Sequence, residues 1–107
     1  HKFHRHGHIE KIYENALSNR LKKDGLNVLQ QHPLNVLDED GTILGNFYAD
    51  LLVEKNIVIE IKACKILTEE HTSQLMGYLR ASRIKHGILL NFGSPRLQIR
   101  KYTMTTV

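Results

Sequence analysis

The sequence predicts an α/β domain in which a central mixed β-sheet is flanked by helices, in the order helix, three strands, helix, two strands. Two observations carry this. Apolar residues recur at helical spacing in an early segment, a hydroxyl cap followed by two carboxylates starts a later one, and the segments between and after them read as strands bounded by turn residues. A helix standing between sheet strands selects the mixed class over all-α or all-β.

From Gly7 to Asp24 the apolar positions Ile9, Ile12, Tyr13, Ala16, Leu17 and Leu21 form the stripe of an amphipathic helix, and Gly25 supplies the stop. Val28 to Leu37 reads as a strand. Pro33 within it points to a sheet edge, because proline cannot donate to a ladder. The acidic turn from Asp38 to Gly41 closes a hairpin onto a second strand, Ile43 to Val53. Glu54, Lys55 and Asn56 then turn the chain into a third, Ile57 to Lys62, completing an antiparallel meander. Thr68 followed by Glu69 and Glu70 is a helix start, since a hydroxyl cap and early carboxylates both suit the exposed N-terminal amides, and that helix should reach about Ser82. His86 to Asn91 and Leu97 to Thr103 are the last two strands, separated by Gly93-Ser94-Pro95.

With 107 residues, the expectation is one domain spanning 1–107 and one site. A 41% hydrophobic and 24% charged composition places the chain outside the disordered class. Lys and Arg outnumber Asp and Glu by 15 to 11, and they crowd the two ends: Lys2, Arg5, Lys11, Arg20, Lys22 and Lys23, then Arg96, Arg100 and Lys101. Such runs describe either a solvated face or a surface for phosphate-bearing partners. The lone Cys64 forms no intramolecular disulfide and no zinc-ligand spacing, which fits a reducing cytoplasm. Its own expected role is that of a small apolar residue. No apolar stretch approaches the roughly 20 residues of a membrane span, and no signal peptide is expected. His1, His4, His6 and His8 alternate, so an extended segment there would gather imidazoles able to bind a transition metal, but no fixed ligand geometry is evident and such a segment is more often a mobile tail.

Strand alternation puts Ile57, Ile59 and Ile61 on one face of the third strand and Val58, Glu60 and Lys62 on the other. Symmetric pairing about Lys55 would set Asp50 opposite Glu60, so two carboxylates and an ammonium converge. Hard carboxylate oxygens suit Mg²⁺, and a lysine beside them suits phosphodiester hydrolysis. The same grouping also describes an ordinary cross-strand salt bridge.

Tyr48-Ala49-Asp50, nine intervening residues and Glu60-Ile61-Lys62 resemble the PD-(D/E)xK nuclease signature. Upstream, Gly7-His8-Ile9-Glu10-Lys11-Ile12-Tyr13 matches GxxExxY, the motif that names a small bacterial family within that superfamily. Downstream, Gln74-Leu75-Met76-Gly77-Tyr78 is similar to the QxxxY element of RecB-like nucleases, and Asn91-Phe92-Gly93 also resembles the GxxExxY family. The motifs run in the expected order from residue 7 to residue 93.

The resemblance implies a restriction-endonuclease-like core and a Mg²⁺- or Mn²⁺-dependent deoxyribonuclease. In that reading Asp50, Glu60 and Glu10 ligate the metal with the Ile61 carbonyl, Lys62 stabilises the nucleophile or transition state, and Gln74 and Tyr78 support them. From the residues alone, Gln74 and Tyr78 could equally cap the sheet, and Glu10 could be a surface glutamate. DNA is the implied partner, and a domain this small leaves room for a homodimer to enclose it. The competing expectation is a nuclease-fold module that binds nucleic acid or protein without cutting. Two departures stand out: Ala49 occupies a position that is often proline, where the expected role is backbone shaping that tolerates substitution, and His4-Arg5-His6 replaces the usual Leu-Gly-Pro-Gly type turn.

Overall fold

A computed structural model describes the backbone of residues 2–105 and the side chains of residues 8–105. The elements are α1 (Lys2–Lys23), β1 (Val28–Leu37), β2 (Ile43–Val53), β3 (Ile57–Lys62), α2 (Glu69–Ser82), β4 (His86–Asn91) and β5 (Gln98–Thr103). The strands form one sheet in the order β1-β2-β3-β4-β5. β1, β2 and β3 are the antiparallel meander, β4 joins β3 in parallel after the α2 crossover, and β5 returns antiparallel. Pro33 lies on the edge strand, where its missing donor costs no ladder bond.

Adjacent residues on a strand face opposite ways, and the core divides accordingly. Leu51, Val53, Ile59 and Ile61 pack with Leu17 and Leu21 of α1, whereas Leu52, Val58 and Leu89 pack with Leu75 and Leu79 of α2. The helices therefore cover opposite faces. No helix among the described residues is long and apolar enough to cross a membrane.

α1 begins before the expected Gly7, because the His4-Arg5-His6 stretch contains no proline or paired glycines to break it. The extended histidine segment thus does not form. His1 and the side chains of His4 and His6 lie outside the described residues, and the transition-metal expectation lies there with them. The helix ends as Gly25 predicts: with φ +87°, it donates to the Lys22 carbonyl while Leu26 donates to Leu21, the paired bonds of a Schellman turn.

The buried face of α1 departs from the apolar stripe. Ile12 is 53% exposed, while Glu14 and Ser18 are buried at 3% and 1%. A buried glutamate is tolerated only when donors meet it, and three do, as described below. α2 starts at the predicted cap: the Thr68 hydroxyl accepts from the His71 N–H, and His71 Nδ1 accepts from the Thr68 N–H at 3.0 Å. Ala49 is fully buried in the α2-side core, so its position is limited by volume and is not the tolerant one expected.

Candidate active site

The site lies where β2 parts from β3. The two strands pair from Val53↔Ile57 to Leu51↔Ile59, and the same register carried one step further sets Asp50 opposite Glu60. There the carboxylates take over from the ladder. Asp50 Oδ2 accepts from the Ile61 N–H at 2.7 Å, and Glu60 Oε2 accepts from the Asp50 N–H at 3.3 Å. β3 meanwhile continues against β4 as far as Lys62↔Asn91, so one side of the notch stays rigid.

On its other edge β2 shows why Asp50 is free to turn. β1 and β2 pair at Gln30↔Leu51 and again at His32↔Ala49, leaving Gln31 and Asp50 between them. Side-chain alternation slips on both strands at this point. Ala49 and Leu52 face the same core although three residues apart, as do Leu29 and Leu34 although five apart. Gln31 absorbs the irregularity with φ +49°, a left-handed conformation costing a non-glycine residue on the order of 1 kcal/mol.

Gln31 also makes the contact that ties Asp50 to α1. Its Nε2 donates to Glu14 Oε1 at 2.8 Å and to Asp50 Oδ1 at 3.1 Å. Glu14 Oε2 is held in turn by Lys11 Nζ at 3.0 Å and Gln30 Nε2 at 2.7 Å. Glu14 and Gln31 were missed from sequence. A glutamate four residues after Glu10 on one helix face was the available signal for the first; a left-handed glutamine inside a strand leaves none.

Glu60 is only 8% exposed. Burial first, then the charge of Asp50 and a side-chain hydrogen bond with it, push the Glu60 carboxyl up to about 8, while the Asp50 N–H and the Lys62 ammonium pull the other way. Lys62 ends β3 half-buried on the same face, and its charge reaches both Glu60 and His71. Burial and then Lys62 hold the His71 imidazole below its ordinary range, with Glu70 opposing and Arg100 adding to the shift.

The structure brings Asp50, Glu60, Ile61 and Lys62 together as the sequence implied. Gln74 and Tyr78 are joined to each other, Nε2 to hydroxyl at 2.9 Å, and Tyr78 stacks on Phe47 with centroids 3.9 Å apart. Glu10 is half-buried on α1, one turn before Glu14. Among the described residues no group of three or more His, Cys, Asp or Glu side chains is gathered closely enough to hold a metal, so Glu10 does not join Asp50 and Glu60 as a third carboxylate here. Of the basic residues, Arg100 is spent internally: it donates to the Leu67 and Thr68 carbonyls and to Thr72 Oγ1, bracing the link from β3 to α2.

A family model described as the PD-(D/E)XK nuclease superfamily matches residues 1–102. Among solved structures, the crystal structure of SSO0001 is similar at a TM-score of 0.70 and 24% identity, covering 92% of this chain and 52% of that one. The chain spans about half the length of that protein, and a likeness at this identity speaks to the fold alone. No curated protein matches. The mixed sheet with its flanking helices agrees with the family model, and with nearly all its length matched the chain belongs to the PD-(D/E)XK nuclease superfamily.

Proposed function

We propose that this protein is a metal-dependent nuclease that hydrolyses DNA phosphodiester bonds, and that it belongs to the GxxExxY, RecB-like branch of its superfamily. The observation that carries the reading is the pairing of Asp50 and Glu60 at the notch between β2 and β3, with Lys62 beside them. Two carboxylates and a backbone carbonyl are a hard oxygen donor set of the kind Mg²⁺ or Mn²⁺ accepts, the rest of the shell being water and substrate phosphate. The raised Glu60 carboxyl fits that use, since close like charges are what a divalent cation relieves.

In this reading Asp50, Glu60 and the Ile61 carbonyl would hold the cation, and Glu10 would reach it through water. Gln31 on Oδ1 and the Ile61 N–H on Oδ2 fix the Asp50 carboxylate, and with Glu60 deprotonated a lone pair is left on each oxygen. A bound divalent ion supplies a water of lowered pKa and polarises a phosphoryl oxygen. Glu60 must give up its proton for the pair to bind. Lys62 holds the attacking water and offsets charge on the phosphoryl oxygens, and the Gln74–Tyr78 pair steadies the DNA backbone. We place the protein in the cytoplasm, in DNA repair or defence, acting as one domain with room to pair as a homodimer around DNA.

Cleavage of labelled single-stranded, duplex and flapped DNA with Mg²⁺, Mn²⁺ or EDTA tests the proposal, comparing wild type with Asp50→Asn and Lys62→Met. Metal-dependent cutting lost in both variants supports it. No cutting on any substrate by the folded wild type would leave a non-catalytic module that binds nucleic acid or protein.

A further inference from the structure

We propose that Gln31 is a positioning residue for the candidate site, holding the Asp50 carboxylate in place from an anchor at Glu14. The inference deepens the nuclease reading and rests on it for its functional meaning, but its geometry stands apart from catalysis.

Gln31 is the residue at which β1 departs from regular strand geometry. Its φ of +49° is one that glycine or asparagine adopts readily and glutamine does not, so the backbone there is held by its surroundings. What the conformation achieves is visible in the side chain. The amide has two N–H groups, and the two acceptors it reaches are carboxylates, Glu14 Oε1 at 2.8 Å and Asp50 Oδ1 at 3.1 Å.

Glu14 suits the part of anchor. It is buried, and Lys11, Gln30 and Gln31 together engage both its oxygens. Asp50 is therefore gripped from two directions, by Gln31 on Oδ1 and by the Ile61 N–H on Oδ2, which fixes the plane of its carboxylate. A lysine at position 31 could make similar contacts, but its formal charge would offset the negative charge a cation needs. A neutral amide orients Asp50 and leaves that charge in place.

The Ile61 amide gives a readout that needs neither metal nor substrate, because its proton rests on the carboxylate that Gln31 is proposed to hold. Amide hydrogen exchange followed by NMR in metal-free protein would compare wild type with Gln31→Gly and Gln31→Asn. Both replacements accept the left-handed backbone, so neither adds strain, and the donor withdrawn from buried Glu14 lowers the melting temperature by no more than the loss of one hydrogen bond to a charged group. Glycine removes the amide, and asparagine, one methylene shorter, cannot span both carboxylates. Ile61 exchange should quicken about tenfold or more in both, the scale of a lost hydrogen bond to a charged group, while Ile59 and Leu52 keep their wild-type rates.

Calorimetric Mn²⁺ affinity should fall by about tenfold on the same ground. Ile61 exchange within about twofold of wild type in folded Gln31→Gly, or quickening spread evenly over β2 and β3, overturns the proposal. If wild type binds no Mn²⁺, the metal-nuclease reading falls, and the Ile61 rates still decide whether Gln31 positions Asp50.

Discussion

The side-chain amide of Asn91 brackets the backbone of Cys64, accepting from its N–H at 3.0 Å and donating to its carbonyl at 2.9 Å. The same Oδ1 accepts from the Gly93 N–H at 3.0 Å, and the second amide hydrogen goes to Gln98 Oε1 at 2.9 Å. Cys64 lies two residues beyond Lys62, where β3 has ended and the chain turns toward α2. The end of β4 thereby determines where β3 stops, and so the base from which Lys62 projects. The Asn91-Phe92-Gly93 run is a structural lock behind the site, and Phe92 extends it by stacking on Tyr13 of α1 at 4.2 Å between centroids.

Asn91→Asp should unfasten this lock. The carboxylate keeps both acceptor bonds but turns an oxygen toward the Cys64 carbonyl and Gln98 Oε1 with no hydrogen to give, in a fully buried position. The expected loss is on the order of 3 kcal/mol, combining unsatisfied acceptors with a buried charge. Urea denaturation reads it, and a loss under about 1 kcal/mol would contradict the role assigned to the amide.

Two glycines should respond to alanine in opposite senses. A Cβ at Gly93 would meet Cys64 N at 2.4 Å and Ala63 C at 2.5 Å, both backbone atoms that cannot swing aside. Gly93→Ala should cost about 2 kcal/mol or more through forced movement of the β3 end. At Gly77, inside α2, nothing lies within 4 Å of the added carbon. Gly77→Ala should therefore stabilise by about 0.5 to 1 kcal/mol, the helix-propensity difference. Thermal unfolding of the two variants side by side measures both signs.

Strand and helix positions were legible because each element carries its own local chemistry. Thr68 caps α2, Gly25 ends α1, and the turn at residues 54–56 fixes the register that brings Asp50 to Glu60. What was not legible depends on contacts distant in sequence. Glu14 looks like any exposed helical acid until Gln30 and Gln31, 16 and 17 residues away, close on it. The phase slip at Gln31 and Asp50 is hidden because the two strands slip together, leaving the register on either side in step. Arg100 reads as surface charge, yet its partners lie about 30 residues earlier.

Stability should depend on pH through Glu60. Its carboxyl titrates near 8 in the fold against 4.5 ordinarily, so the fold favours the neutral form. The stabilisation is fully present below the unfolded value, declines as pH rises between the two, and is gone above the folded one. Metal-free wild type should therefore lose melting temperature between about pH 4.5 and pH 8 relative to Glu60→Gln, which has no proton to release there. Saturating Mn²⁺ at pH 8 should restore it, by about 2.7 kcal/mol at a hundredfold excess over the dissociation constant. Parallel curves for wild type and variant would remove Glu60 as the titrating group.

Tyr78→Phe separates a support within the helix from a role in the reaction. The ring stack on Phe47, with planes 16° apart, survives the change, and what is lost is the hydroxyl that accepts from Gln74. Because Gln74 is exposed, water replaces that partner, and stability should move by no more than about 0.5 kcal/mol. If the pair steadies bound DNA, cleavage should nevertheless fall about tenfold, the scale of one oriented hydrogen bond to a charged phosphate. Gln74→Leu should reproduce that fall, and the double variant should cost little more than either alone, because the two groups act as one unit. Unchanged cleavage in both single variants would reduce the pair to a tie between two turns of α2, with the reaction resting on Asp50, Glu60 and Lys62.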